Sequence, residues 1–204
     1  MKNYYFVILI TLFSLTTCRD LSAQSWVFVK EKEGIRLFTR KEANSSVKSF
    51  KGDVYLHTQI EKVYSLITNV KNFDWWDDDI SEIKVLHYEK DKVIQYYLIY
   101  DVPWPIADRD LVVDSHITID PVTGIISVEA RSLLNVIPEK PDLVRIKKYW
   151  QTWTLVPVEK DLVHLILEGS VDPAGSVPAW LSNMVITETP LKVIRSVKTH
   201  VGAK

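Results

Sequence analysis

The sequence predicts an α+β fold: one antiparallel sheet closed by a long C-terminal helix. Three observations lead there. Apolar and polar residues alternate with period two through the middle of the chain. The cleanest case sets Leu111, Val113, Ser115, Ile117 and Ile119 against Asp114, His116, Thr118 and Asp120. The period turns helical after Thr58 and again from Pro178 to about His200. Between those helices lies a long meander of strands, with Pro121-Val-Thr-Gly124 as a hairpin turn.

The elements follow in order. Ser25 to Lys32 reads as a short amphipathic lead-in anchored by Trp26. Gly34–Arg40 and Val47–Leu56 alternate as strands. Thr58-Gln-Ile-Glu61 has the form of a capping box, in which the Thr and Glu side chains serve orphan backbone donors. Ile60, Val63, Tyr64, Ile67 and Val70 then recur at helical spacing, with an end predicted near Asn69. Strands are predicted over Ser81–Glu89 and Val93–Asp101. After the Leu111–Ile119 strand and its turn, Ile126, Val128 and Ala130 continue the return strand. Leu143–Val156 and Leu162–Val171 give two more. Pro178 suits a first helical position. Val177, Leu181, Met184, Val185, Leu191, Ile194 and Val197 form one apolar side of the last helix. Pro190 inside it predicts a kink or a helix in two parts.

The chain has 204 residues, enough for one domain with a substantial core. Lys2, the apolar run Tyr4–Leu15 and "TTCRDLSAQ" have the form of a secretory signal, cut after Ala23. The run is short for a membrane span, which needs about 20 residues. A lipoprotein cut before Cys18 is the alternative, although Thr17 is the wrong small residue for it. A periplasmic or secreted protein is expected, as a monomer. Cys18 is the only cysteine, so the mature chain has no disulfide, thiol nucleophile or thiolate metal site. Without Lys2, Arg19 and Asp20 the balance is 23 basic against 25 acidic residues, which argues against a nucleic-acid partner.

Few residues suggest chemistry. In "DVPWPIADRDLVV" (Asp101–Val113), Asp108 and Asp110 flank Arg109. An acid/base pair needs separated pKa values, whereas an arginine between two carboxylates keeps both ionised. A structural reading is open beside it. Pro103 and Pro105 stiffen a turn, Asp108 caps it, and Arg109 and Asp110 fasten a strand start. A contact from Arg109 to a ligand head group is a third option. "DWWDDD" (Asp74–Asp79) lacks the spaced oxygens and glycine of a calcium loop. His57, His87, His116, His164 and His200 show no metal spacing.

Four spaced motifs resemble one family, the START (steroidogenic acute regulatory protein-related lipid-transfer) domains. They are "WDDDISEIKVL" (Trp76–Leu86), "VPWPIADRDLVV", "VRIKKYWQTWTLVP" (Val144–Pro157) and "DPAGSVPAWLSN" (Asp172–Asn183), in the family's order. The resemblance runs from about Trp26 to Val197, within a single domain of residues 24–204. It implies a helix-grip fold, a curved antiparallel sheet around a long C-terminal helix with an internal hydrophobic tunnel. It also implies binding, and often transfer, of a lipid or lipid-like molecule, with transient membrane contact, no cofactor and no reaction.

The resemblance also implies where a ligand would sit. Some members carry a charged residue on the Leu111–Ile119 strand, paired with an acid inside the tunnel. Ser115 stands there in this chain, opposite Gln95, Tyr96 and Tyr97, which implies a neutral tunnel. Phosphatidylcholine-binding members have a Tyr-x-Gln resembling Tyr149 and Gln151. With Trp153, these share one strand face. Tyr97, Ser115 and Val113 complete the expected ligand contacts. Val136 and Ile137, in the loop Leu133–Leu143, are the expected gate, with Leu181 and Met184 on the opposite lip beside Val177 and Trp180. Core packing is the plain alternative for each. Two other functions stay open: a polyketide cyclase or aromatase on the same scaffold, and an interaction module with a filled core.

Overall fold

The computed structural model describes residues 25–43, 45–69, 71–73, 75–76 and 79–203, with only the backbone of Met184 and Val185. The expected signal segment with Cys18, Val70, and Asp74, Asp77 and Asp78 of the acidic run lie outside the described residues, as do the Met184 and Val185 side chains.

In chain order the elements are β1 (Val27–Lys32), β2 (Ile35–Arg40), β3 (Ser49–Leu56), α1 (Ile60–Ile67), β4 (Ile80–Glu89), β5 (Val93–Tyr100) and β6 (Arg109–Ile119). Then come β7 (Ile126–Ser132), β8 (Val144–Arg145), β9 (Lys148–Glu159), β10 (Leu162–Asp172), α2 (Ala179–Val185) and α3 (Glu188–Val201). The strands form one curved sheet in the order β1-β2-β3-β10-β9-β7-β6-β5-β4. Neighbours along it are antiparallel; only the two-residue β8 runs parallel, against the start of β6. Each hairpin keeps chain neighbours together, and the one long-range closure joins β3 to β10.

Local chemistry explains the elements. Glu33 and Gly34 both have positive φ, the conformation that a two-residue hairpin turn between β1 and β2 requires. Asp120 accepts hydrogen bonds from the Val122 and Thr123 amides, fixing the predicted turn before β7. In β3 the inward residues are Phe50, Gly52, Val54 and Leu56, and α3 is seated on Gly52. A Cβ there would stand 2.6 Å from Ile194 Cδ1 and 3.2 Å from Pro190 Cβ. Leu191, Ile194 and Val197 of α3 are fully buried against this part of the sheet. The C-terminal helix is in two parts, separated at Ile186–Thr187. Pro190 falls in the first turn of α3, where its missing N–H costs nothing.

Four sequence expectations need correction. Ser25–Lys32 is more than an amphipathic lead-in: Val27–Lys32 is the edge strand β1, with Val27, Phe28 and Val29 all exposed. Its consecutive Val-Phe-Val suits a strand, but a register shift between Phe28 and Lys30 hides the alternation. Trp26 packs under the Arg40 guanidinium, 4.4 Å from its ring centre. The capping box does not form; α1 begins after Gln59, which makes no side-chain cap, and it ends at Ile67. The predicted Leu143–Val156 strand breaks at Ile146–Lys147, because Val144 and Ile146 donate their amides to β6 and its flank. Pro178 caps α2 from outside rather than opening it.

Candidate functional site

The site is built from the concave face of β5, β6, β7 and β9. Inward positions along a strand come every second residue, so register decides which side chains meet. Ile94 pairs with Ser115, Tyr96 with Val113, and Ala130 with both Ser115 and Gln151. These pairings put Ile94, Tyr96, Ser115, Val128, Ala130, Gln151 and Trp153 on one wall. Ile67 and Thr68 at the end of α1, with Phe73, Trp75 and Trp76 just after it, form the facing wall. Between them lies a space of about 30 Å³.

Aromatic rings fill most of this interior. Trp75 stacks on Trp76 with ring centres 6.2 Å apart and meets Trp153 edge-on at 6.2 Å. Trp76 meets Tyr96 edge-on at 5.6 Å, and Phe73 lies 6.2 Å from both Trp76 and Tyr96. The offset and edge-to-face arrangements are those aromatic quadrupoles favour. The Ser196 hydroxyl of α3 donates to the Trp75 carbonyl, tying this cluster to the last helix.

Among the described residues that line the site there is no carboxylate, imidazole or cation. Burial pushes the Tyr96 phenol well above its ordinary value, against hydrogen bonds with Ser115 and Tyr149 that oppose the shift. Burial likewise raises Tyr149 well above the ordinary phenol value, and neighbouring Tyr96 adds to it. Both stay protonated. The Trp75 indole N–H is buried with no partner among the described residues.

Sequence-predicted residues divide by placement. Ser115, Gln151 and Trp153 stand in the cavity wall. Tyr149 is buried behind it, against Tyr96, and Val113 is fully buried core without lining the space. Tyr97 is a correction. It points through the sheet, where its hydroxyl donates to Asp110 at 3.2 Å and Lys140 Nζ sits 5.2 Å from its ring centre. Its neighbour Tyr96 is the inward residue, missed because "VIQYYLIY" is apolar on both faces and gives no parity. Register with the clean Ser115 strand was the signal that would have found it. Trp75 was also missed, and Trp76, the first residue of the motif Trp76–Leu86, lies in the wall as well.

The gate residues do not meet at this cavity. Val136 and Ile137 line a separate open groove of about 500 Å³ with Leu134, Arg145 and Lys147. Leu181 is half-buried on α2 and lines neither space.

Asp108, Arg109 and Asp110 are spent on structure. Asp108 accepts the Val102 amide at 2.8 Å, closing the proline turn. Arg109 is buried and donates to the carbonyls of Pro173, Ala107 and Ala174, holding the turn before α2. Asp110 is buried against Arg145 in a bidentate pair of 2.7 and 2.8 Å. Arg145 also donates to Ile137 O at 3.0 Å and Pro138 O at 3.4 Å, so the pair anchors the Leu133–Leu143 loop. No group of three or more acidic, histidine or cysteine side chains able to hold a metal occurs among the described residues.

A curved antiparallel sheet wrapped around C-terminal helices defines the helix-grip class. Within that class the chain belongs to the START domain family, whose model matches residues 14–203. A STAR-related lipid transfer protein from Xanthomonas axonopodis is similar in structure, with 28% identity and a TM-score of 0.79, over 87% of this chain and 98% of that one. Human STARD10 shares the fold at 16% identity and a TM-score of 0.77, over 86% of this chain and 72% of its own. An uncharacterized protein of Pseudomonas aeruginosa is 25% identical over 178 residues, 87% of each chain.

Proposed function

We propose that this protein binds a lipid or another hydrophobic molecule between its concave sheet and its last helices, as a carrier rather than an enzyme. Its family and its likeness to a STAR-related lipid transfer protein support the ligand class. The observation that carries the reading is the lining itself: among the described residues it is apolar and aromatic, with a few neutral polar groups and no carboxylate, imidazole or cation. Each buried methylene of a ligand contributes about 0.8 kcal/mol.

The space of about 30 Å³ sets a condition. Ligand pockets measure roughly 300–1,000 Å³, so binding requires the Phe73–Trp75–Trp76 rings to give way. The same small volume favours a second reading, an interaction module with a filled core. Mass spectrometry of lipid co-purifying with the protein from its native host separates the two. No recovered lipid, together with no uptake of lipid probes by the purified protein, would favour the filled-core reading.

Export through the N-terminal segment, with a cut after Ala23, belongs to the same proposal, as does a monomeric state without nucleic acid. Transient contact with a membrane fits one end of the molecule. Trp104 and Trp180 are exposed at 92% and 64%, and Leu134 and Val136 are exposed as well. The Arg109 and Arg145 hydrogen bonds gather their loops at this end. Exposed tryptophans suit a membrane–water interface. Among the described residues no helix is long and apolar enough to cross one.

A further inference from the structure

We infer that the ligand is uncharged where it lies in the sheet, and that it presents a hydrogen-bond acceptor, such as an ester or ketone oxygen, to the indole N–H of Trp75. This rests on the reading that the interior takes a hydrophobic ligand, and it specifies the ligand's chemistry.

Two independent features of the wall lead there. The first is charge. A carboxylate, phosphate or ammonium placed against these residues would meet no counter-ion among the described lining residues, and an ion without one is strongly disfavoured in a buried site. Raised phenol pKa values at Tyr96 and Tyr149 keep even these hydroxyls from supplying a charge. Any ionic head group therefore stays outside the aromatic box.

The second feature is an unmet donor. An indole N–H can only donate, and buried donors are almost always paired. That of Trp75 is not, in a side chain that lines the cavity and is only 6% exposed. In the present cavity its ring packs on Trp76 and Trp153, and the Ser196 hydroxyl ties its backbone carbonyl to α3. Gln151 stands in the same wall, 7% exposed. Tyr96 lies within hydrogen-bonding reach of Ser115 and of Tyr149. An unpaired indole donor with an amide in the same wall suits an uncharged oxygen. A single water also fits a space of this size and is the competing acceptor.

Three matched probes test the inference on the purified protein stripped of co-purifying lipid. They are methyl 12-(1-pyrenyl)dodecanoate, its free carboxylate, and 1-dodecylpyrene, which has no oxygen. The ester should bind about tenfold or more tightly than both others, since satisfying one buried donor has that order of effect. In protein labelled with ¹⁵N-tryptophan, the Trp75 indole resonance should shift with the ester and stay put with the hydrocarbon. Trp75→Phe should bring ester and hydrocarbon within about twofold of each other. If that variant does not fold, the resonance of the unmodified protein carries the test. Equal binding of ester and hydrocarbon, preference for the carboxylate, or an unmoved Trp75 resonance overturns the inference while hydrophobic binding stands. Binding of no probe overturns both.

Discussion

Replacing Asp110 by asparagine removes one charge from a pair sealed inside the protein. The Arg145 and Asp110 side chains are 3% and 1% exposed, and two short hydrogen bonds join them. Asparagine keeps the shape and one acceptor but leaves the guanidinium without a counter-ion. Its remaining partners would be the Ile137 and Pro138 carbonyls. Breaking a buried pair from one side costs about 3–5 kcal/mol. For a chain of this size each kcal/mol moves the melting temperature by roughly 2–4 °C, so a fall of roughly 6–20 °C is expected. In urea the midpoint should fall with little change in slope, the sign of lost stability without a changed transition. The double variant Asp110→Leu/Arg145→Met should recover most of the loss, because an apolar pair has no ions to desolvate. Hydrogen exchange should quicken first in the Leu133–Leu143 loop, which Arg145 holds. A loss below about 1 kcal/mol in Asp110→Asn, or a double variant no better than the single one, would refute the reasoning.

Three further predictions use other parts of the molecule. Gly52→Ala drives a methyl group against Ile194 and Pro190 and should cost about 1–3 kcal/mol by thermal melting, with Ile194→Val restoring part of it. Burial raises the Glu42 carboxyl, but hydrogen bonds from Ser49 and Arg40 outweigh it and hold the group below the usual 4.5. Its stabilisation is therefore present above that value and is lost as the pH falls through the lowered folded-state value. Glu42→Gln should be less stable than the parent at pH 7, and urea titrations at acidic pH should show the gap closing. Tyr96→Phe should alter affinity for a hydrophobic probe, whereas Tyr97→Phe should leave it alone and loosen the loop beside Asp110. The reverse result would refute the assigned register.

Much of the fold was legible because alternation in Leu111–Ile119 is strict and the two helical periods are isolated from it. The shared face of Tyr149, Gln151 and Trp153 followed from the same parity, whereas the uncharged Ser115 drew attention only through the family resemblance. What sequence could not supply has one physical root, a strand apolar on both faces. In β1 the Val-Phe-Val run hid an edge strand, and in β5 two adjacent tyrosines left the inward one undecided. The Trp75 donor was out of reach for another reason. Whether an N–H is paired depends on residues far away in the chain, here β9 and α3.

The joining of β3 to β10 has a consequence for how the protein comes into being. Leu56 and Val163 are partners more than 100 residues apart. During synthesis the first three strands emerge as a small sheet whose inner border must wait for most of the chain. Ribosomes add roughly 5–20 residues per second, so the wait is several seconds or longer. An unfinished border recruits whatever strand comes near it. A newborn chain of this topology is thus a natural client for a chaperone, and mutations that slow the arrival of β10 should show first as aggregation in the cell rather than as altered ligand affinity.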